Sequence, residues 1–128
     1  MKFAFAHRGD KRLVKQLLAE CALPCEDITP AHLQHFLVSR HQTNLAGVIG
    51  LELLGSFALL RSLAVQTDFR GQKIASQLTQ QAEAYARAHK IKSLYLLTTT
   101  AEGFFTKQGY HTKDRNAVPV VVRVVAYE

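Results

Sequence analysis

Two β-patterned runs, Leu45–Leu54 and Phe57–Val65, flank Gly55-Ser56, and soon after the second the periodicity changes to that of a helix. Glycine in the first central position suits a two-residue hairpin loop, which makes the flanking strands antiparallel. In the helical run, Ile74, Ala75, Leu78, Ala82, Tyr85 and Ala86 form one stripe. Gln72, Lys73, Gln77, Gln80, Gln81, Glu83 and Arg87 are expected on the exposed side. A strand rich in Leu and Tyr, Ser93–Thr98, follows. A helix between two neighbouring strands is a crossover, and it makes them parallel. Hairpin and crossover together restrict the chain to an α/β architecture, a mixed central β-sheet with helices on both faces.

The remaining elements fit around that frame. Lys2–Ala6 reads as a strand, and Asp10 as the cap of a helix with Leu13, Val14, Leu17 and Leu18 on one face. Pro24 stops that helix. Thr29-Pro30 starts a short one that ends near His35, with proline where its missing N–H costs nothing. Phe36–Arg40 is a strand. Thr99 and Glu102 have capping-box spacing, so a helix is expected from about Thr100, with Gly109 as its stop. Tyr110–Asp114 and the β-branched Val118–Ala126, interrupted by Pro119, are further strand candidates. No repeat or linker interrupts residues 1–128, so a single domain is expected.

Composition narrows the function classes. The chain is 48% apolar, enough for a real core. It has no apolar run of about eighteen residues, and its start is too short for a signal peptide, so a cytoplasmic protein without a membrane span is expected. Cys21 and Cys25, the two cysteines, do not make a zinc framework, and six histidines show no metal spacing beyond His32-x-x-His35. No metal is expected. The net charge of +6 favours anionic partners, a phosphorylated cofactor or nucleic acid. The basic residues are scattered and no recognition-helix or zinc-finger pattern occurs, so a nucleic-acid partner is not expected.

The segment from Leu63-Ala64-Val65 through Arg70-Gly71-Gln72-Lys73-Ile74-Ala75 joins a hydrophobic strand to the long helix. It resembles the Arg/Gln-x-x-Gly-x-Gly/Ala motif of the GNAT superfamily of N-acetyltransferases. Arg70 and Ala75 match, and Lys73 stands where the family usually has glycine. The physical logic stands without the family: a helix start exposes backbone N–H groups that bind anions, and Gly71 permits close approach. A second segment, Tyr95 to Tyr110, resembles the family's other strand–helix–Gly-aromatic motif. Within the superfamily, Leu59–Val65 and Leu94–Phe105 look like the arsenic-resistance acetyltransferases and the acetyl-transfer domain of N-acetylglutamate synthases. The resemblance implies a single-domain GNAT (acyl-CoA N-acyltransferase) fold, acetyl-CoA as cosubstrate and an amino-acid-like amine as acceptor.

It also implies roles for residues. Main chain of Leu63, Ala64 and Val65 would bind the pantetheine arm and thioester oxygen, and Arg70, Gly71, Gln72, Lys73, Ile74 and Ala75 the pyrophosphate. Phe105 occupies the place of a Tyr that protonates the departing thiolate in many members; it is expected beside the cofactor, with the acid role empty or filled by Tyr110, another group or water. From the residues themselves, Glu52 is an acid within an apolar strand, and the hairpin puts Arg61 diagonally across from it. Glu52 as proton acceptor and Arg61 as grip on a substrate carboxylate is one reading; a structural ion pair is the other. A non-catalytic CoA-binding module and a protein amine as acceptor are the alternative functions. The family continues past the Arg115–Pro119 segment into a last strand. Here either Val120–Ala126 supplies it, or it is shortened or missing, and a missing strand would favour a homodimer through the open edge.

Overall fold

The computed structural model describes residues 2–97, 102–115 and 118–124. In order, the elements are β1 (Lys2–Phe5), α1 (Lys11–Glu20), α2 (Pro30–Leu33), β2 (Phe36–His41), β3 (Asn44–Leu54), β4 (Phe57–Val65), α3 (Ile74–Ala88), β5 (Ser93–Leu97), α4 (Glu102–Lys107), β6 (His111–Arg115) and β7 (Val118–Val124). Two compact units are apparent: Met1–Leu51 with Ser62–Ala82, and Glu52–Arg61 with Glu83–Glu128. Strands β3 and β4 and helix α3 contribute to both. Among the described residues, no helix is long and apolar enough to cross a membrane.

In the first unit β1 and β2 are antiparallel, as are β2 and β3, with a bulge between Ser39 and Arg40. Val14 and Leu18 from α1, Leu33 from α2, and Phe36, Val38 and Val48 from the strands close the core, all at 1% exposure or less. Phe36 is the cross-strand partner of Gly50. A Cβ built at Gly50 would stand 2.3 Å from the Phe36 ring, so the ring occupies the space a side chain would need.

The start of α1 differs from expectation. A 3-10 turn, Arg8–Asp10, precedes the helix, and the Asp10 side chain makes no capping bond to it. Its carboxylate accepts from the His7 N–H at 2.9 Å and pairs with the Arg40 guanidinium. Asp10 is 2% exposed. Burial alone would raise its pKa. The Arg40 hydrogen bond, the His7 N–H and the charges of Arg40 and His7 together outweigh burial and hold the carboxyl below its ordinary value. The carboxylate thus caps the preceding 3-10 turn through His7 and pairs with a cation from β2, which local sequence cannot show. The second helix start is as expected: the Thr29 hydroxyl accepts from the His32 N–H at 3.3 Å, with Pro30 at the first helical position. Helix α2 ends at Leu33, slightly before the expected His35.

In the second unit β4 runs parallel to β5 from Phe57↔Ser93 to Leu59↔Tyr95. Strand β5 is antiparallel to β7, and β7 to β6. Parallel pairing beside antiparallel pairing is the mixed sheet that the α3 crossover requires. The last strand is present as β7, which fills the place between β5 and β6. The missing-strand alternative therefore does not hold, and the open edge that motivated a homodimer is occupied. Pro119 pairs with Asp114 of β6, and among the described residues the pairs of β7 with β5 run from Val120 to Val124. Helix α4 ends as expected: Gly109 has φ +93°, and the Tyr110 N–H donates to the Phe105 carbonyl at 3.0 Å. The expected cap at Thr99 lies outside the described residues.

Along α3, Ile74, Leu78, Ala82 and Ala86 are buried as the stripe required. Glu83 departs from expectation: it is 6% exposed and accepts a 2.9 Å hydrogen bond from the Tyr110 hydroxyl. It sits on the buried stripe by position, and the Tyr110 donor satisfies the carboxylate that burial would otherwise strand.

Candidate functional site

The β3–β4 hairpin turns at Gly55, whose φ of +73° is the left-handed backbone that glycine adopts without strain. Alternation along the two strands buries Leu51, Ala58 and Leu60 on one face. Glu52 and Arg61 fall on the other, where Arg61 Nη1 donates to Glu52 Oε1 at 2.7 Å. Their side chains are 31% and 18% exposed. The diagonal pairing read from the hairpin is therefore present. A carboxylate that can accept a proton lies against a guanidinium that can bind a carboxylate in bidentate fashion.

Strand β4 continues from Arg61 through Ser62, a non-glycine residue with φ +59°. Ala64 is buried, and Leu63 and Val65 are half-buried. Among the described residues, the pairing of β4 with β5 extends from Phe57 to Leu59. At the strand end the Val65 carbonyl accepts from Arg70 Nε at 3.2 Å, and Arg70 Nη2 lies 3.8 Å from Cys21 Sγ. A 3-10 turn, Thr67–Phe69, leads into the loop.

The loop before α3 carries two left-handed residues. Gly71 has φ +82°, and an added Cβ there would meet nothing within 4 Å. Lys73 has φ +61°. Lysine replaced the expected glycine while the backbone kept the glycine conformation, at a cost of about 1–2 kcal/mol for an L-residue. The first helical bond of α3 runs from the Gln77 N–H to the Lys73 carbonyl at 3.1 Å. The N–H groups just after Lys73 therefore lie ahead of the helical ladder, where an anion can accept from them. Arg70, Gly71, Gln72 and Lys73 are exposed, Ala75 is half-buried and Ile74 anchors the loop in the core at 3% exposure. Lys73→Gly is expected to stabilise the protein by about 0.5–1 kcal/mol, strain relief exceeding the entropic cost of glycine. Urea denaturation midpoints of the two proteins check this, and an unchanged or lower midpoint would refute it.

Phe105 is 4% exposed and packs edge-to-face with Phe104 and Tyr110, at centroid distances of 4.9 and 5.3 Å. Tyr110 is 1% exposed, and its hydroxyl is given to Glu83. The structure thus places both aromatics in the core of the second unit, with the Tyr110 hydroxyl turned to Glu83. Sequence reasoning missed the Glu83–Tyr110 bond and the Cys21–Arg70–Val65 contact. Glu83 is one position past Ala82 on the α3 stripe, a signal its residue type concealed. Nothing local joins Cys21 to Arg70.

Residues 32–112 match the acetyltransferase (GNAT) domain family. An uncharacterized N-acetyltransferase of Chlorobaculum tepidum is 28% identical over 89 residues, which are 69% of this chain and 57% of that protein. Among solved structures, N-acetylglutamate synthase from Neisseria gonorrhoeae, complexed with coenzyme A and L-arginine, superposes with a TM-score of 0.86 at 20% identity. The superposition covers 96% of this chain and 32% of the synthase. An acetyltransferase of the GNAT family from Staphylococcus aureus superposes with a TM-score of 0.82 at 18% identity, over 98% of this chain and 99% of its own. At these identities the structural likeness is one of fold. The chain spans just over half the curated relative and about a third of the synthase.

Proposed function

The chain belongs to the acetyltransferase (GNAT) domain family, and we propose that it transfers an acetyl group from acetyl-CoA directly to the amine of a small, amino-acid-like acceptor. The observation that carries this reading is the loop before α3. Its two left-handed residues, Gly71 and Lys73, turn main chain into the start of a long helix, and Arg70 and Lys73 are exposed beside it. That combination suits a pyrophosphate: backbone donors, the positive end of a helix dipole and two cations. Gln72, Ile74 and Ala75 complete the cradle through main chain. The main chain of Leu63, Ala64 and Val65, past the described β4–β5 pairs, suits the pantetheine arm and the thioester oxygen.

The chemistry then needs a neutral amine and a place for its proton. In this reading the amine nitrogen attacks the thioester carbon, a C–N bond forms, and the C–S bond breaks. Glu52 accepts the amine proton, directly or through one water. Arg61, two residues before Leu63 on the same strand, holds the acceptor's carboxylate. Sulfur departs as a thiolate, a good leaving group, and takes its proton from water, since the Phe105 side chain has no hydroxyl and Tyr110 gives its own to Glu83.

Calorimetric titration with acetyl-CoA tests the cofactor, with Arg70→Ala/Lys73→Ala as comparison. Saturable binding that weakens tenfold or more in the variant is expected from loss of two charge-assisted contacts of about 1.5–3 kcal/mol each. Absence of binding, with no thermal shift on adding acetyl-CoA, would sink the reading.

A further inference from the structure

Around the Glu52–Arg61 pair, one face of the second unit's sheet leaves apolar side chains partly open. Burial alternates along β4: Ala58 and Leu60 are buried, Leu59 is half-buried and Phe57 is 39% exposed. It alternates in step along β5, where Leu94 and Leu96 are buried and Tyr95 is half-buried. The register sets Leu59 beside Tyr95, and the Phe57 ring meets Tyr95 edge-on at 5.5 Å. Leu54, at 42% exposure, closes the patch from β3.

We propose that this face selects the acceptor, and that the acceptor is an α-amino acid with an apolar side chain, branched or aromatic. The inference rests on the acetyl-transfer reading and names the substrate class for that site. Arg61 and Glu52, with polar atoms 2.7 Å apart, are the charge complement of an amino acid's carboxylate and amino group. Alternate side chains on a strand stand about 7 Å apart, roughly the reach of a leucine, methionine or phenylalanine side chain from its Cα. An amino acid held at Arg61 therefore lays its side chain over Leu59 and Tyr95, with Phe57 beyond them. A glutamate would lay its second carboxylate over the same apolar surface. On this face of residues 52–54, 57–61 and 93–96, Arg61 is the one cation, and Glu52 already shares it. A carboxylate set against that apolar surface gives up part of its hydration without gaining a partner, which is disfavoured.

The test is initial-rate acetylation by the full chain with acetyl-CoA, across leucine, methionine, phenylalanine, glutamate, lysine and phenethylamine. Leucine, methionine or phenylalanine is expected to lead glutamate and lysine by tenfold or more in kcat/KM. Phenethylamine, which lacks the carboxylate, should trail phenylalanine by a similar factor. Leu59→Arg, which adds a cation beneath the acceptor side chain, should raise glutamate relative to leucine tenfold or more. Calorimetric binding of N-acetylphenylalanine and N-acetylglutamate to the protein with CoA should follow the same order without turnover. A panel led by glutamate, lysine or phenethylamine would overturn the apolar selection and leave acetyl transfer standing. No acetylation of any amine, with neither N-acetyl product bound, would overturn both.

Discussion

Gly50→Ala is expected to destabilise the protein by about 3 kcal/mol, the upper end of the overpacking range. The added Cβ would stand 2.3 Å from Cε1 of Phe36 and 2.4 Å from Cζ, both on the ring directly across the ladder. Neither side can yield cheaply. Phe36 is fully buried among Val14, Leu18 and Leu33, and β3 is held on β2 by the ladder. Such a loss is a large part of the 5–15 kcal/mol that holds a typical domain together. Urea unfolding followed by circular dichroism gives the value. Gly50→Ala combined with Phe36→Leu should recover part of it, because the smaller side chain vacates the space, so the double-mutant cycle should show coupling. Equal stability of Gly50→Ala and the parent would mean that the ring does not sit on Gly50.

On the proposed reading, Glu52→Gln should lower kcat/KM for the best amine by about 10²–10⁴, the range that a positioned general base supplies. Glutamine keeps the shape and an acceptor oxygen for Arg61 but cannot hold the proton. Arg61→Lys should act differently. It keeps the charge and loses the planar fork, so KM should rise tenfold or more while kcat changes less. Neither variant should unfold the protein. The pair is only partly buried, at 31% and 18% exposure, and each substitution keeps a hydrogen-bonding group for the other partner. Thermal unfolding run beside the kinetics separates the two roles. A large loss of stability with kcat/KM within threefold of the parent in Glu52→Gln would make the pair structural and leave Glu52 without a catalytic part.

Much of this arrangement could be read along the chain. Gly55-Ser56 marked a hairpin, and from it the diagonal meeting of Glu52 and Arg61 followed by counting alternate residues. The α3 stripe, the Thr29-Pro30 start and the Gly109 stop were legible because each depends on residues within a turn of one another. Lys73 was visible as a departure from the glycine of the family motif, but its φ of +61° was not. Whether the loop would rearrange around lysine or force lysine into the glycine conformation is decided by what holds its two ends.

Where a polar residue found its partner far along the chain, local reading failed. Asp10 has the composition of a helix cap and instead meets Arg40; Glu83 has the composition of a solvated face and instead meets Tyr110. The strands, the long helix, the turn chemistry and the register within the hairpin follow from periodicity and short-range backbone preference, both of which lie along the chain. Which charges are buried, which aromatic rings fill the core and which face of the sheet stays half-open were settled by packing in three dimensions. Those outcomes depend on desolvation and on partners brought together by strand pairing, and neither is encoded in the spacing of neighbouring residues.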